Sequence, residues 1–526
     1  MALRSVGLTT LLLGVAAVEA TLYKESTPPM GWNSYNYYSC NPSEEIIKTN
    51  AQGLIDLGLV DVGYKTVTTD CGWMNRDRDE EGRLVWNTTL FPSGGGSELG
   101  EFLHGLGLQY GLYSGSGYFQ CGSTDLPASL GYEDIDAQSF AEWGGDSLNL
   151  DHDISYYICQ WGVGYDLGEW ASPIGNTYRI SNDIYNSWRS VWRITNQVVP
   201  FWRHTTVGAY PDMDMLIIGL NALSAEEERF HFGMWAINKT PLKIGAPTTL
   251  DISPAASFDT LKNEDVIAIN QDPLGAQARL VRRYTEEEWD LWAGELSNAR
   301  QVLGLANWRN ESQTVQVDLA AALNVAEARA RDVWAAEDLG VLEGGGSTFE
   351  LKGHEMKLLV LSDIVAVPAE DQLKSAGYYA AATNATLSGG AAVRSCDQSQ
   401  DECLPAGSKI IDVAPGASVM FTSVAVGSSG SSSGTKKLLG VDFVNYDVAL
   451  QTAWDWGSST RNMTVAVNGG EPKRWAFPIS GGDWYEADRL LVEVDGFVEG
   501  EENEVVFAAF GDLANAPDLV GFEVFE

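Results

Sequence analysis

GWNSY (residues 31–35), TTDCGW (68–73), ICQWG (158–162) and YRISNDI (178–184) each close a strand-like run by presenting carboxylates or aromatic rings. Amphipathic stretches separate them. One is NPSEEIIKTNAQGLIDLGL (41–59), in which Ile46, Ile47, Ala51, Leu54 and Ile55 recur at helical spacing behind a capping Ser43. The alternation runs from about Ser26 to Gly275 and favours a parallel α/β barrel. A doubly wound sheet is the alternative. No Gly-rich phosphate loop follows the first strand, and the carboxylates are spread over many strand ends, so the barrel is preferred.

A chain of 526 residues exceeds what one hydrophobic core organises. Beyond Gly275 the pattern changes: RRYTEEEWDLWAGEL (282–296), RQVLGLANW (300–308), QTVQVDLA (313–320) and EMKLLVLS (355–362) are short β-prone runs between polar turns, the signature of a small antiparallel sandwich. Strands resume with AATNATLSGGAAV (381–393), WDWGSSTRNMTVAVNGG (454–470), KRWAFPIS (473–480) and ADRLLVEVDGF (487–497). The expected division is a signal peptide over 1–20, a (β/α)8 barrel over 21–275, an antiparallel β-sandwich over 276–364, a linker over 365–375 and a second β-sandwich over 376–526. The run GSSGSSSGT (427–435) reads as a loop inside that last module, because strands on both sides are needed to close one sandwich.

MALRSVGLTTLLLGVAAVEA (1–20) combines a basic Arg4, an apolar run too short to span a membrane, and small residues near its end; it predicts a cleaved signal peptide and a secreted, extracellular chain. Sequons at Asn87, Asn238, Asn310, Asn384 and Asn462 suit that route. A formal charge of −39 disfavours nucleic acid and anionic membranes and suits a neutral substrate. Five scattered histidines form no zinc motif, and no cofactor motif is present, so neither metal nor cofactor is expected.

Hydrolysis of a glycosidic bond uses two carboxyl groups across the bond, with aromatic faces and hydrogen-bonding groups to hold the sugar. Asp70, Asp183, Asp212 and Asp214 offer the carboxyls; Trp32, Trp73, Tyr113 and Trp161 offer faces. For any one Asp, a helix cap or a loop turn is the commoner role. Recurrence at one end of a barrel is what points to chemistry. Trp73 reads equally well as core.

PPMGWNSYN (28–36), TTDCGW, GLYSGSG (111–117), ICQWG, YRISNDI, PDMDML (211–216) and VIAINQDPLG (266–275), in this order, resemble the fungal-type α-galactosidases of glycoside hydrolase family 27. The resemblance covers roughly residues 26–363 and implies a (β/α)8 TIM barrel followed by an antiparallel β domain. LSGGA (387–391), VDFVNYDVAL (441–450) and PDLVGFEV (517–524) resemble a carbohydrate-binding module of the family 35 or 6 type. Residue by residue, the resemblance makes Asp183 the general acid/base and Arg179 a substrate contact. It also makes Trp32, Asp70, Tyr113, Trp161 and Asp214 contacts to a galactose ring. Thr69 departs from the paired Asp-Asp of many relatives. The implied function is a secreted retaining α-galactosidase that removes terminal non-reducing α-galactose from oligosaccharides, galactomannans or glycoconjugates. Gln160 leaves β-arabinopyranosidase or N-acetylgalactosaminidase activity open.

The nucleophile is where the pattern breaks. In the family it lies in a Lys-Tyr-Asp-Asn-Cys motif after a segment like FAEWGGDSL, which is present at 140–148. Here NLDHDISYYICQWG follows; without a gap Asp151 falls on the nucleophile position, with Asn149 for the family lysine and Asp153 for its cysteine, and LDHDISYYICQWG reads equally as the family's approach to the fifth strand, in which case Asp151 is not the nucleophile. Adjacent parallel strands need a crossover of at least about 10–12 residues. Leu148 and Ile154 are much closer than that. Either strands four and five run together or a strand-helix unit is missing. Of the six cysteines, Cys40 with Cys71 fits the family and Cys396 with Cys403 closes a short loop, while Cys121 lacks its family partner and Cys159 is a thiol at this strand. The alternative function is a catalytically impaired galactoside-binding protein.

Overall fold

The computed structural model describes residues 25–146, 155–162, 166–427, 435–448, 459–512 and 514–526. Among the described residues of the first 275, seven short parallel strands are present: β1 (Met30–Asn33), β2 (Thr66–Thr69), β3 (Gln109–Leu112), β4 (Tyr157–Ile158), β5 (Thr177–Arg179), β6 (Tyr210–Asp212) and β7 (Leu242–Ile244). They form two sheets, ordered β3-β2-β1-β7 and β4-β5-β6. A parallel bridge from Leu216 to Ile244 links β7 with the chain just after β6. Among the described residues β3 and β4 pair with no common strand, and the stretch between them contains residues 147–154. Every residue of β1 and of β5 is buried, as expected of parallel strands covered on both faces.

Helices flank the strands and begin where the sequence caps them. Ser43 accepts a bond from Ile46 N–H at the start of Glu44–Asp56, with Glu44 and Glu45 in the first turn. Ser224 and Glu227 form a reciprocal capping box on Ala225–Ile237. Ser187 caps Trp188–Val198. One continuous core, including Trp32, Tyr64, Val67, Tyr178, Phe230 and Trp235, sits between strands and helices. Loops leaving the C-terminal ends of the strands are therefore held by a rigid base.

The next unit is antiparallel: a six-stranded sheet built from strands within 279–366, and a two-stranded sheet pairing Gln313–Val317 with Ser347–Leu351. It has its own apolar core around Leu291, Leu303, Leu305 and Leu359. The last module stacks a six-stranded sheet on a five-stranded one over a core that includes Phe421, Phe443, Phe507 and Phe522. Ser418–Val426 lies in one of these sheets and Thr435–Val444 in the other. Arg203 ties the module to the first unit through the carbonyls of Ser480 and Ala487 and the carboxylates of Glu486 and Asp488.

Disulfides join Cys40 to Cys71 and Cys396 to Cys403. Cys121 and Cys159 are free and exposed. The sequon at Asn238 needs correction: this side chain is fully buried, donating to Met234 O at 2.9 Å and accepting from Gln277, so it has no room for a glycan in the folded chain. The expected signal peptide (1–20) and Asp151 lie outside the described residues.

Candidate active site

β5 ends in Arg179, and the next four residues turn so that Asp183 faces back toward it. Arg179 Nη2 donates to Asp183 Oδ1 at 2.9 Å and lies 2.8 Å from Asp214 Oδ2, the latter carried by the loop after β6. One guanidinium thus clamps two carboxylates from adjacent strand ends. Backbone N–H groups of Ile184 and Met215 each donate to Asp214 at 2.7 Å, and Asp214 N–H in turn donates to Asp212. Asp214 holds a left-handed backbone conformation at φ 76°, which aims its side chain inward instead of letting the strand continue. The indole of Trp235 fixes this turn by donating to Asp214 O.

Solvent reaches these two carboxyls unequally. The Asp214 side chain is 3% exposed and that of Asp183 is 26% exposed. Burial pushes the Asp214 carboxyl above the usual carboxylate range, Arg179 pulls it back, and the Asp183 charge adds to the rise. Asp214 is therefore built to orient Arg179, and Asp183 is the one open to a ligand.

Asp70 approaches from β2. Its N–H donates to Ser34 Oγ, one carboxylate oxygen accepts from Cys71 N–H and the other from Asn33 Nδ2, both at 2.8 Å. Burial raises this carboxyl, and the Asp183 charge reaches it and raises it further. Tyr35 senses Asp183, Asp70, Cys121 and Asp214 together, while Tyr113 senses Asp70, Cys121 and Cys159. Asp70, Tyr113, Arg179, Asp183 and Asp214 thus share one electrostatic environment. Trp32, on β1 beside Asn33, is buried and donates to Ala246 O just beyond β7. Trp161 follows β4 with φ 59°, and the next N–H, from Gly162, donates to Arg179 O.

Trp73 belongs to the core. It is fully buried among Trp86, Trp143 and Phe140 and donates its indole N–H to Tyr113 O. Thr69 is likewise fully buried. Sequence reading missed Asn33, Ser34 and Tyr35, which ring Asp70. It also missed Lys243, whose amine lies 3.8 Å from the Tyr157 ring centre and feels Asp212, Glu25 and Asp70. A lysine inside the apolar run PLKIG (241–245) is the signal that was there to find. Burial lowers its pKa.

Comparison with known proteins places this geometry in a class. The family model described as Alpha galactosidase A matches residues 27–171 and 155–272, two stretches that overlap at the ICQWG segment. The Alpha galactosidase C-terminal beta sandwich domain matches residues 286–361. The chain belongs to the α-galactosidases of glycoside hydrolase family 27. It is 34% identical to a probable alpha-galactosidase D of Aspergillus fumigatus over 98% of this chain and 99% of that one, and 33% identical to alpha-galactosidase D of Emericella nidulans over 95% of each. The first alignment runs over 653 positions, more than the 526 residues of this chain, so that relative carries internal residues with no counterpart here. Among solved structures, alpha-galactosidase I from Mortierella vinacea superposes with a TM-score of 0.60 at 30% identity, over 65% of this chain and 98% of that one. An α-galactosidase from Saccharomyces cerevisiae solved with raffinose also gives 0.60, at 25% identity over 64% and 98%.

Proposed function

We propose that this chain is a secreted, retaining exo-α-galactosidase in which Asp183 protonates the departing glycosidic oxygen. The observation that carries the reading is the Arg179 clamp, which leaves Asp183 open while holding Asp214 closed. Trp32, Asp70, Tyr113, Trp161 and Arg179 hold the galactose, and Asp214, closed to solvent, acts on it through Arg179. Retention places the nucleophile about 5–5.5 Å from the acid and passes through a covalent glycosyl-enzyme. Asp151 is the candidate for that role: it is the carboxylate that the ungapped motif match leaves between β3 and β4 where the family's own strand-helix unit is lacking.

The seven parallel strands belong to a (β/α)8 barrel lacking one unit between β3 and β4. Three observations support this: the unshared edges of β3 and β4, the two overlapping family matches, and the longer span of the relative. Residues 21–275 form the catalytic unit, 276–364 a β-sandwich, 365–375 a linker and 376–526 a carbohydrate-binding module. Galactose-bearing oligosaccharides or polysaccharides are the partners. A chromogenic α-galactoside, with the anomer of the released galactose followed by NMR, tests the assignment: first-formed α-galactose supports it, first-formed β-galactose overturns retention, and binding without turnover overturns the enzyme reading.

A further inference from the structure

A cleft of about 420 Å³ is lined by residues of all three units, Asp183 not among them. Its volume falls within the range of about 300–1,000 Å³ typical of small-molecule sites. Trp188 and Trp192 stand one turn apart on the helix Trp188–Val198 and so share a face. Trp308, from the antiparallel unit, packs edge-on to Trp192 at 4.4 Å and tilted to Trp188 at 5.6 Å. Tyr284 stacks on Trp289 along the same wall. Trp188, Trp192, Trp308 and Tyr284 all keep part of their surface in water, while Trp188 also packs on Phe230 and His354 and the Arg283 guanidinium lies 5.0 Å from the Trp192 ring centre.

The floor is rigid and neutral. Arg283 and Asp290 form a bidentate pair at 2.8 Å, each side chain 2% exposed. Asp290 also accepts the Trp308 indole N–H, fixing that ring, and Arg283 reaches Asn196 in the first unit and Ala476 O in the last. On the rim Arg474 is paired with Glu286 at 3.2 Å, while Glu288, beside Arg309, is 57% exposed. Arg283, Arg309 and Arg474 each have an acidic partner, Arg189 is a further cation on the lining, and the chain as a whole carries −39, which disfavours an anion. Preformed aromatic walls with balanced hydrogen-bonding groups match a neutral polyhydroxylated ring, which buries its C–H faces on indoles and satisfies its hydroxyls at the rim.

We propose that this three-unit cleft is a second carbohydrate site, separate from the Asp183 pocket, that takes a neutral oligosaccharide. The same chemistry has two sources. Asn462, in the sequon Asn462-Met463-Thr464, lines the cleft, so a glycan on it would also reach the aromatic walls.

The test uses the full chain carrying Asp183→Asn, from a non-glycosylating host, titrated with galactose-free mannohexaose and cellohexaose by tryptophan fluorescence and calorimetry. Binding to at least one probe is expected, undisplaced by excess galactose and weakened by about tenfold or more in Trp192→Ala and in Arg474→Ala. Arg474 is a rim residue, so its replacement separates loss of binding from loss of fold. No binding to either probe by the folded chain overturns the proposal, as does displacement by galactose or equal affinity in both variants. A parallel preparation from a glycosylating host, with and without Thr464→Ala, identifies the source. Binding that appears only when the sequon is removed supports a carbohydrate cleft filled by the chain's own glycan. Binding in both forms supports a free oligosaccharide.

Discussion

Replacing Arg179 by alanine strands the Asp214 carboxylate. The guanidinium lies 2.8 Å from Asp214 and 2.9 Å from Asp183, and removing one partner of a buried ion pair costs about 3–5 kcal/mol. Two things soften the loss. The N–H groups of Ile184 and Met215 still hold Asp214, and its raised carboxyl can take up a proton. Protonation is easier in acid, so the penalty should sit near the upper end of that range at about pH 8 and near or below its lower end at about pH 5. For a catalytic unit of some 250 residues, 1 kcal/mol moves a melting midpoint by about 2–4 °C, which predicts a fall of roughly 6–20 °C in the first thermal transition. Adding Asp214→Asn to Arg179→Ala removes the stranded charge and should restore much of the loss, which differential scanning calorimetry of the four combinations can read. A midpoint shift under about 3 °C, or one identical at both pH values, would refute the clamp as the element that organises these carboxylates.

The Asp488 carboxyl, which meets Arg203 between the first unit and the last, is pushed up to about 6 by burial, with Arg203 opposing. Its folded value exceeds its ordinary 3.8, so the stability it contributes is fully present below that ordinary value and is lost as pH rises through about 6, by up to about 3 kcal/mol. Melting curves between about pH 4.5 and 7 should show this loss, and Asp488→Asn should flatten it. Trp73→Ala should destabilise the first unit by about 3–5 kcal/mol, because it empties the space among Trp86, Trp143 and Phe140. Urea denaturation checks the value, and a loss under about 1 kcal/mol would speak against its core role. Of the six cysteines, Cys121 and Cys159 should label without reduction, Cys159 the more slowly because burial pushes its thiol up to about 12. Burial and the charges of Asp183 and Asp70 raise the Cys121 thiol, so its labelling should speed up in Asp183→Asn at fixed pH; an unchanged rate would place Asp183 too far away.

Alternation of strand-like and amphipathic runs, each strand closing on a carboxylate or an aromatic, made the parallel α/β core legible, because chemistry at strand ends leaves a local mark in sequence. The change to short β-prone runs after Gly275 was equally local. Trp73 was ambiguous because an indole looks the same in a core and in a sugar site; only the rings of Trp86 and Trp143 around it decide. Asn33 and Ser34 escaped notice because their role is to position Asp70, a contact across 37 and 36 residues that no local pattern encodes. The Arg179 clamp was half visible: Arg179 and Asp183 are four residues apart, but Asp214 joins them only through the pairing of β5 with β6. The cleft of Trp188, Trp192 and Trp308 was invisible, since its walls come from three separate units.

The role of Asp183 is tested most directly by comparing cleavage of an activated aryl α-galactoside with that of raffinose, in the unaltered chain and in Asp183→Asn. A proton donor matters most when the leaving group is poor, so the variant should lose about 10²–10⁴-fold in kcat/KM on raffinose and much less on the aryl substrate. Equal losses on both, or raffinose cleavage within a few-fold of the unaltered chain, would contradict the assignment of Asp183 as the acid.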